Sequence, residues 1–161
     1  MQIAHGENNR VLIYFFYDGD GAVDDYVIYN LNGFRPYVKK MIFVCNGKLN
    51  EKSRSKVESA VDQLIVRENK GFDGWAYKAG IDSVGWDELV CFDELIMTNH
   101  TVMGPVDSYE EMFATMDARD VDFWGVTKNY EIDFDFSGCS KYEYIPEHIQ
   151  SHFIAVRKKM I

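Results

Sequence analysis

The sequence is short of positive charge: 17 lysines and arginines face 26 aspartates and glutamates, for a net charge of −9. A chain this acidic lacks the basic stripe that grips a phosphate backbone, which excludes nucleic acid as an expected partner. Cysteine is scarce as well. Cys45, Cys91 and Cys139 are odd in number and widely spaced, so they form neither a disulfide framework nor a CxxC metal site, and a reducing cytoplasm is the expected compartment. Long hydrophobic runs are missing: the longest, Val11 to Tyr17, is too short to span a bilayer, and the polar start Met1 to Arg10 has no signal-peptide pattern. Membrane contact is therefore expected to be peripheral at most, at the inner face. Repeats and low-complexity linkers are absent too. Residues 1–161 read as one domain, 47% hydrophobic and long enough to bury a core.

What is present is a succession of short apolar runs: Val11–Tyr17, Met41–Cys45, Gln63–Arg67, Glu94–Thr98, Val121–Thr127 and His152–Arg157. They are continuous rather than alternating, as strands buried on both faces are. Between the second and third, Val57, Ala60, Val61 and Leu64 recur at helical spacing behind a capping Asn50. Between the fourth and fifth, Ser108 and Glu111 make a capping-box pattern ahead of Tyr109, Met112, Phe113 and Met116. Asp24 to Leu31 and Phe72 to Ile81 also look helical, with Gly33, Pro36, Gly71, Gly74 and Gly80 bounding or interrupting them. This alternation predicts an α/β fold, Rossmann-like, with a mainly parallel sheet covered on both faces.

In such a sheet ligands sit outside the carboxyl ends of the strands. The residues following the runs are Tyr17-Asp18, Asn46-Gly47, Glu68-Asn69, Asn99-His100-Thr101 and Thr127-Lys128. Any one pair is equally a solvated turn, so only the set points to a site. Gly19 and Gly21 nearly spell a dinucleotide fingerprint, but the third glycine is missing and Asp18 and Asp20 would repel a pyrophosphate. The same loop, with Asp18, Asp20, Asp24 and Asp25, has the acidic colour of a calcium loop, but its glycine is misplaced and the terminal bidentate glutamate is absent. His148 and His152 are four apart, yet the run that follows predicts a strand, where that spacing does not converge on one metal. The stretch RENKGFDGWAYKAG from Arg67 is the most specific. It joins a strand end to a helix start, with Asn69, Asp73 and Lys78 open to a ligand and free amides suited to an anion. Asp73 as a plain helix cap is the competing reading.

Five blocks resemble, in order, the rhamnan synthesis protein F family of bacterial glycosyltransferases, of the GT-A type: LNGFRPYVKKMIFVCNG from Leu31, RENKGFDGWAYKAG from Arg67, LIMTNHTVMGP from Leu95, VDFWGVTK from Val121 and HIQSHFIAVRKK from His148. The resemblance implies a three-layer GT-A fold and transfer of a sugar, typically rhamnose, from a nucleotide-diphosphate donor such as dTDP-rhamnose to a polysaccharide or lipid-linked acceptor. It assigns Tyr17, Asp18 and Asn46 to base and ribose. Asn69, Asp73 and Lys78 go to nucleotide and diphosphate, and Asn99, His100 and Thr101 to the donor.

The family's fourth strand is expected to end in an acidic motif holding a divalent ion. Here His100 stands where a carboxylate is expected, so Asn99 and His100 would hold Mg²⁺ or Mn²⁺ weakly, and Mg²⁺ more weakly of the two. An inverting transfer needs a general base, for which Asp122, Glu147 and His148 are candidates and His148 is favoured. Trp124 could stack on an acceptor sugar, although an aromatic in an apolar strand is more often core. The runner-up is a non-catalytic, degenerate or truncated module of the same fold that binds nucleotide or a partner without turnover. A nucleotidyltransferase is disfavoured because no glycine- and lysine-rich triphosphate loop follows the first strand.

Overall fold

The computed structural model describes residues 9–136, 138 and 140–161, so Cys139 and the polar start up to Asn8 lie outside the described residues. Strand β1 is Arg10–Tyr17, β2 Lys40–Asn46, β3 Gln63–Arg67, β4 Glu94–Asn99, β5 Phe123–Gly125 and β8 Phe153–Arg157. They form a six-stranded sheet in the order β3-β2-β1-β4-β8-β5. β1 pairs parallel with β2 and β4, and β2 with β3, whereas β8 runs antiparallel to both β4 and β5. The sheet is thus mostly parallel, with one reversed strand inserted. Strands β6 (Lys128–Asn129) and β7 (His148–Ile149) form a separate antiparallel pair.

The helices are α1 (Asp25–Phe34), α2 (Glu51–Glu58), α3 (Phe72–Val84), α4 (Trp86–Leu89) and α5 (Glu110–Asp117). Alternate residues of the central strands feed two cores. Leu12, Tyr14 and Phe16 of β1 pack with Val27 and Leu31 of α1, Val57 of α2 and Phe113 of α5, while Val11, Ile13 and Phe15 pack with Ala76, Tyr77 and Val84 of α3. The period of two along buried strands therefore creates three layers. The edge strand β3 is only half-buried, so doubly buried packing belongs to the inner strands alone.

Several local expectations need correction. α3 runs uninterrupted through Gly74 and Gly80, and Gly80 is there for close approach: a Cβ would lie 2.5 Å from the Ile13 side chain on β1. Gly33 lies inside α1 rather than ending it. The capping box at Ser108 does not form. Ser108 Oγ accepts from the Glu110 amide at 3.1 Å and meets the Tyr37 hydroxyl, while Tyr109 occupies the cap position. Asn50 does cap α2, accepting from the Ser53 amide at 2.8 Å.

A buried ion cluster that the sequence reading did not anticipate closes the amino edge of the sheet. Glu94 Oε2 accepts from Arg10 Nε at 2.9 Å and its Oε1 from Trp124 Nε1 at 2.8 Å, with Arg157 Nε 2.6 Å from the same oxygen. Arg10 also bonds Asp117, and Arg157 donates to the Met116 carbonyl at 2.7 Å. Two guanidinium groups and two carboxylates balance, which is what permits their burial.

Candidate functional site at the carboxyl edge

Parallel pairing sets Tyr17 opposite Asn46, Asn46 opposite Arg67, and Phe15 opposite Asn99, so the ends of β1, β2, β3 and β4 share one edge. α3 starts from the same edge. Gly71 takes φ 74°, and a Cβ there would lie 2.2 Å from the Trp75 ring, so only glycine fits the turn. Phe72 follows at φ 49° with 82% of its surface exposed. A bulky residue held in the left-handed region costs about 1–3 kcal/mol and is characteristic of functional loops. Gly71, not Asp73, occupies the cap position. Asp73 sits in the first turn and accepts from Ser151 Oγ at 2.6 Å.

The asparagines are braces. Asn46 is fully buried, accepting from Arg67 at 2.6 Å and donating to the Phe72 carbonyl at 3.2 Å and to Asn69 Oδ1 at 3.4 Å. Asn99 Oδ1 accepts from the Thr101 amide at 3.1 Å and from the Thr101 hydroxyl at 2.5 Å. Asp18 Oδ1 accepts from the amides of Asp20 and Ala22, both at 2.9 Å. Those bonds, the one from Ala22 foremost, hold its carboxyl below the usual aspartate range. Tyr17 and Asn69 remain exposed, as do Lys70 and Trp75, whose ammonium and ring lie 5.5 Å apart. Lys70, Phe72 and Trp75 are rim residues that the sequence reading passed over, although all three lie within the stretch it singled out.

Lys78 is turned elsewhere. Its ammonium pairs with Asp82 one turn further along α3, on an exposed face away from the strand ends. His100 packs edge-on against Phe15 and Phe16, at ring separations of 6.2 and 5.0 Å, and its buried Nδ1 has no hydrogen-bond partner. Burial pulls its pKa below the ordinary histidine value, against a hydrogen bond with the Phe15 backbone and, after it, the Asp18 charge. Its imidazole is thus neutral, the form that can ligate a metal, but Asn99 Oδ1 is engaged by Thr101, so the pair would offer a divalent ion little beyond the one ring nitrogen. Among the described residues no group of three or more His, Cys, Asp or Glu is gathered as a metal site.

The candidate bases separate. Asp122 precedes β5 and therefore lies at the amino edge, where Lys159 donates to it at 3.0 Å. Glu147 is paired with Lys128 at 3.0 Å. His148 is exposed on β7, and its Nδ1 lies 2.8 Å from the Pro146 carbonyl. A carbonyl can only accept, so Nδ1 carries a proton and Nε2 is the ring nitrogen outside that bond. Trp124 is corrected from sugar platform to core: it is 5% exposed, wedged against Phe113 and Phe153 and tied to Glu94.

Residues 126–152 leave the sheet after β5 and return as β8, both at the carboxyl edge. Their root closes over the crevice, where the Tyr77 hydroxyl donates to the Ser151 carbonyl at 2.9 Å and the Thr98 hydroxyl to the His152 carbonyl at 2.8 Å. Cys45 is buried beneath the edge, its thiol pushed up to about 11 by desolvation, and so is an inert core residue. Among the described residues, no helix is long and apolar enough to cross a membrane.

No functionally curated protein matches the sequence. Among solved structures, the fold is similar to the crystal structure of HddC from Yersinia pseudotuberculosis, with a TM-score of 0.51 at 16% identity, over 94% of this chain and 78% of that one. At that identity the likeness speaks for the fold alone. Residues 41–161, from β2 to the end of the chain, match the family described as rhamnan synthesis protein F. That span takes in four of the five resembling blocks whole and the end of the first, and the chain belongs to the rhamnan synthesis protein F family.

Proposed function

We propose that this chain is a GT-A type glycosyltransferase, binding a nucleotide-diphosphate sugar, with dTDP-rhamnose the favoured donor, in the carboxyl-edge crevice. It transfers the sugar to a polysaccharide or lipid-linked acceptor at the cytoplasmic face of the membrane. The observation that carries the reading is the joint between β3 and α3, where Asn69, Lys70 and the Phe72 and Asp73 amides at the start of α3 open together beside Tyr17 and Trp75, the Gly74 amide being taken by Asp73 Oδ1 at 2.9 Å. An aromatic rim suits a base, and amides with an ammonium suit a diphosphate.

In a single displacement the acceptor hydroxyl gives its proton to His148 Nε2 and its oxygen bonds the anomeric carbon. The bond from that carbon to the diphosphate oxygen breaks, and the nucleoside diphosphate leaves against the α3 amides and Lys70. Asp18, Asn46, Asn99 and Thr101 act from behind, keeping the loops in shape. No step is routed through a metal at Asn99 and His100. Calorimetry with thymidine diphosphate tests the site: Asn69→Ala and Lys70→Ala should each weaken binding by about 1–3 kcal/mol. Unchanged affinity in both folded variants would refute the assignment.

A second reading, a non-catalytic module of the same fold, is favoured by one feature: β4 ends in an enclosed neutral histidine where an acidic ligand is expected. Product analysis separates the two. Release of nucleoside diphosphate in the presence of acceptor supports the transferase, whereas nucleotide binding without turnover supports the module.

A further inference from the structure

In a chain this acidic, a cation withdrawn from water normally has a carboxylate to hand. Among the described lysines and arginines that are not exposed, Arg10 and Arg157 share Glu94, Arg35 pairs with Asp62, Lys40 with Glu88 and Lys56 with Asp25. Arg67 is the exception. It is half-buried at the carboxyl end of β3, and its guanidinium donates to two neutral oxygens, Asn46 Oδ1 at 2.6 Å and the Lys70 carbonyl at 3.0 Å, with no described carboxylate paired to it. Bracing two neutral oxygens calls for donors, not for a charge. A guanidinium partly out of water without a counter-ion is unfavourable, so an anion that reaches the remaining N–H groups of its fork would be held strongly.

Lys70 adds a second charge on the same turn. Its ammonium lies 5.5 Å from the Trp75 ring and is likewise paired with no described carboxylate. Glu68, between the two cations in sequence, is exposed and pairs with neither, while Asp73 is engaged by the Gly74 amide and the Ser151 hydroxyl. A diphosphate needs its negative charge offset, by a metal ion or by cations of the protein. The end of β4 offers an ion little, since Thr101 engages Asn99 Oδ1 and His100 contributes one ring nitrogen. The end of β3 offers an arginine fork, whose planar donors match phosphate oxygens, with an ammonium beside it.

We propose that Arg67 binds the diphosphate of a nucleotide in the crevice and, with Lys70, offsets its charge without a divalent ion. The nucleotide part rests on the transferase reading above, whereas affinity for a phosphate anion follows from the two cations themselves.

The test is calorimetry on the full chain with thymidine diphosphate, thymidine and inorganic pyrophosphate, each in EDTA, in Mg²⁺ and in Mn²⁺. Thymidine diphosphate should bind in EDTA at least as tightly as with either ion. Arg67→Gln should weaken it about tenfold or more while thymidine affinity holds, and Arg67→Lys, which keeps the charge, should lose less. Lys78→Gln, which removes a charge outside the crevice, should change neither. Should Arg67→Gln fold poorly, the unaltered chain decides, because pyrophosphate and thymidine diphosphate should both shift the Arg67 side-chain Nε–H resonance. Binding of the diphosphate only with Mg²⁺ or Mn²⁺ overturns this proposal and spares the donor site. Equal losses for thymidine and thymidine diphosphate in Arg67→Gln, or nucleotide binding that leaves the Arg67 resonance unmoved, overturns it and makes Arg67 a brace only. Arg67-dependent pyrophosphate binding in EDTA, with thymidine diphosphate bound no better, upholds the phosphate site and counts against the nucleotide donor. Binding of none of the three overturns both.

Discussion

Replacing Glu94 by glutamine changes few atoms but removes one of two negative charges from the buried cluster at the amino edge. Glu94 is 0% exposed and receives Arg10, Arg157 and Trp124. In Glu94→Gln, the two guanidinium groups lose the carboxylate that both of them pair with out of water, and the new amide group points donors at donors. Breaking a buried ion pair from one side costs about 3–5 kcal/mol. For a chain of this length each kcal/mol lowers Tm by about 2–4 °C, so the expected fall is about 6–20 °C. Urea unfolding followed by circular dichroism, with Tm by calorimetry, measures it. In Glu94→Gln/Arg157→Met the charge balances again, and part of the loss should return as a coupling between the two sites. A loss below about 1 kcal/mol at unchanged m-value would refute the reasoning and mean that water or relaxation satisfies the cluster. The cluster lies at the edge opposite the crevice, so thymidine diphosphate affinity of the folded variant should not change.

Gly80→Ala should destabilise by about 1–3 kcal/mol in the same unfolding assay, since its Cβ would stand 2.5 Å from Ile13 and force α3 off β1. Lys78→Ala should leave both nucleotide affinity and stability within about 0.5 kcal/mol of the parent, because Lys78 pairs only with Asp82 on an exposed face; a tenfold affinity loss would restore it to the site. His100 is held neutral with a folded pKa below its ordinary 6.5, so the unfolded chain takes up its proton first as pH falls. Stability from this group is therefore complete above pH 6.5 and declines below it, and His100→Gln should flatten that part of a Tm-against-pH profile; an unchanged slope would mean that the imidazole is hydrated.

What the sequence by itself determined is what rests on local pattern. Five of the six apolar runs coincide with strands to within a residue at either end, and Asn50 caps α2, because the period of buried side chains and an asparagine three residues before the amide it caps are properties of neighbouring residues. The carboxyl-edge rule then brought Tyr17, Asn46, Asn69 and Asn99 to one region from strand ends alone. Val121–Thr127 yields only the short edge strand β5, since an apolar run does not state how many of its residues find a partner.

Direction and partnership were decided by the tertiary structure. A run of apolar residues reads the same in either sense, so the reversal of β8 between β4 and β5 was not legible, and that reversal makes β5 end and β8 begin at the carboxyl edge. Trp124 became core because Glu94, 30 residues away, takes its indole proton. Asn46 and Asn99 turned inward because Arg67 and Thr101 reached their oxygens first. The cluster of Arg10, Glu94, Asp117 and Arg157 joins four distant positions whose charges look solvated until burial makes each one require the others. Hydrogen bonds and ion pairs between remote residues depend on distances that only the packed chain sets, and so the sequence indicated where a site could form, while the fold decided which side chains are free to serve it.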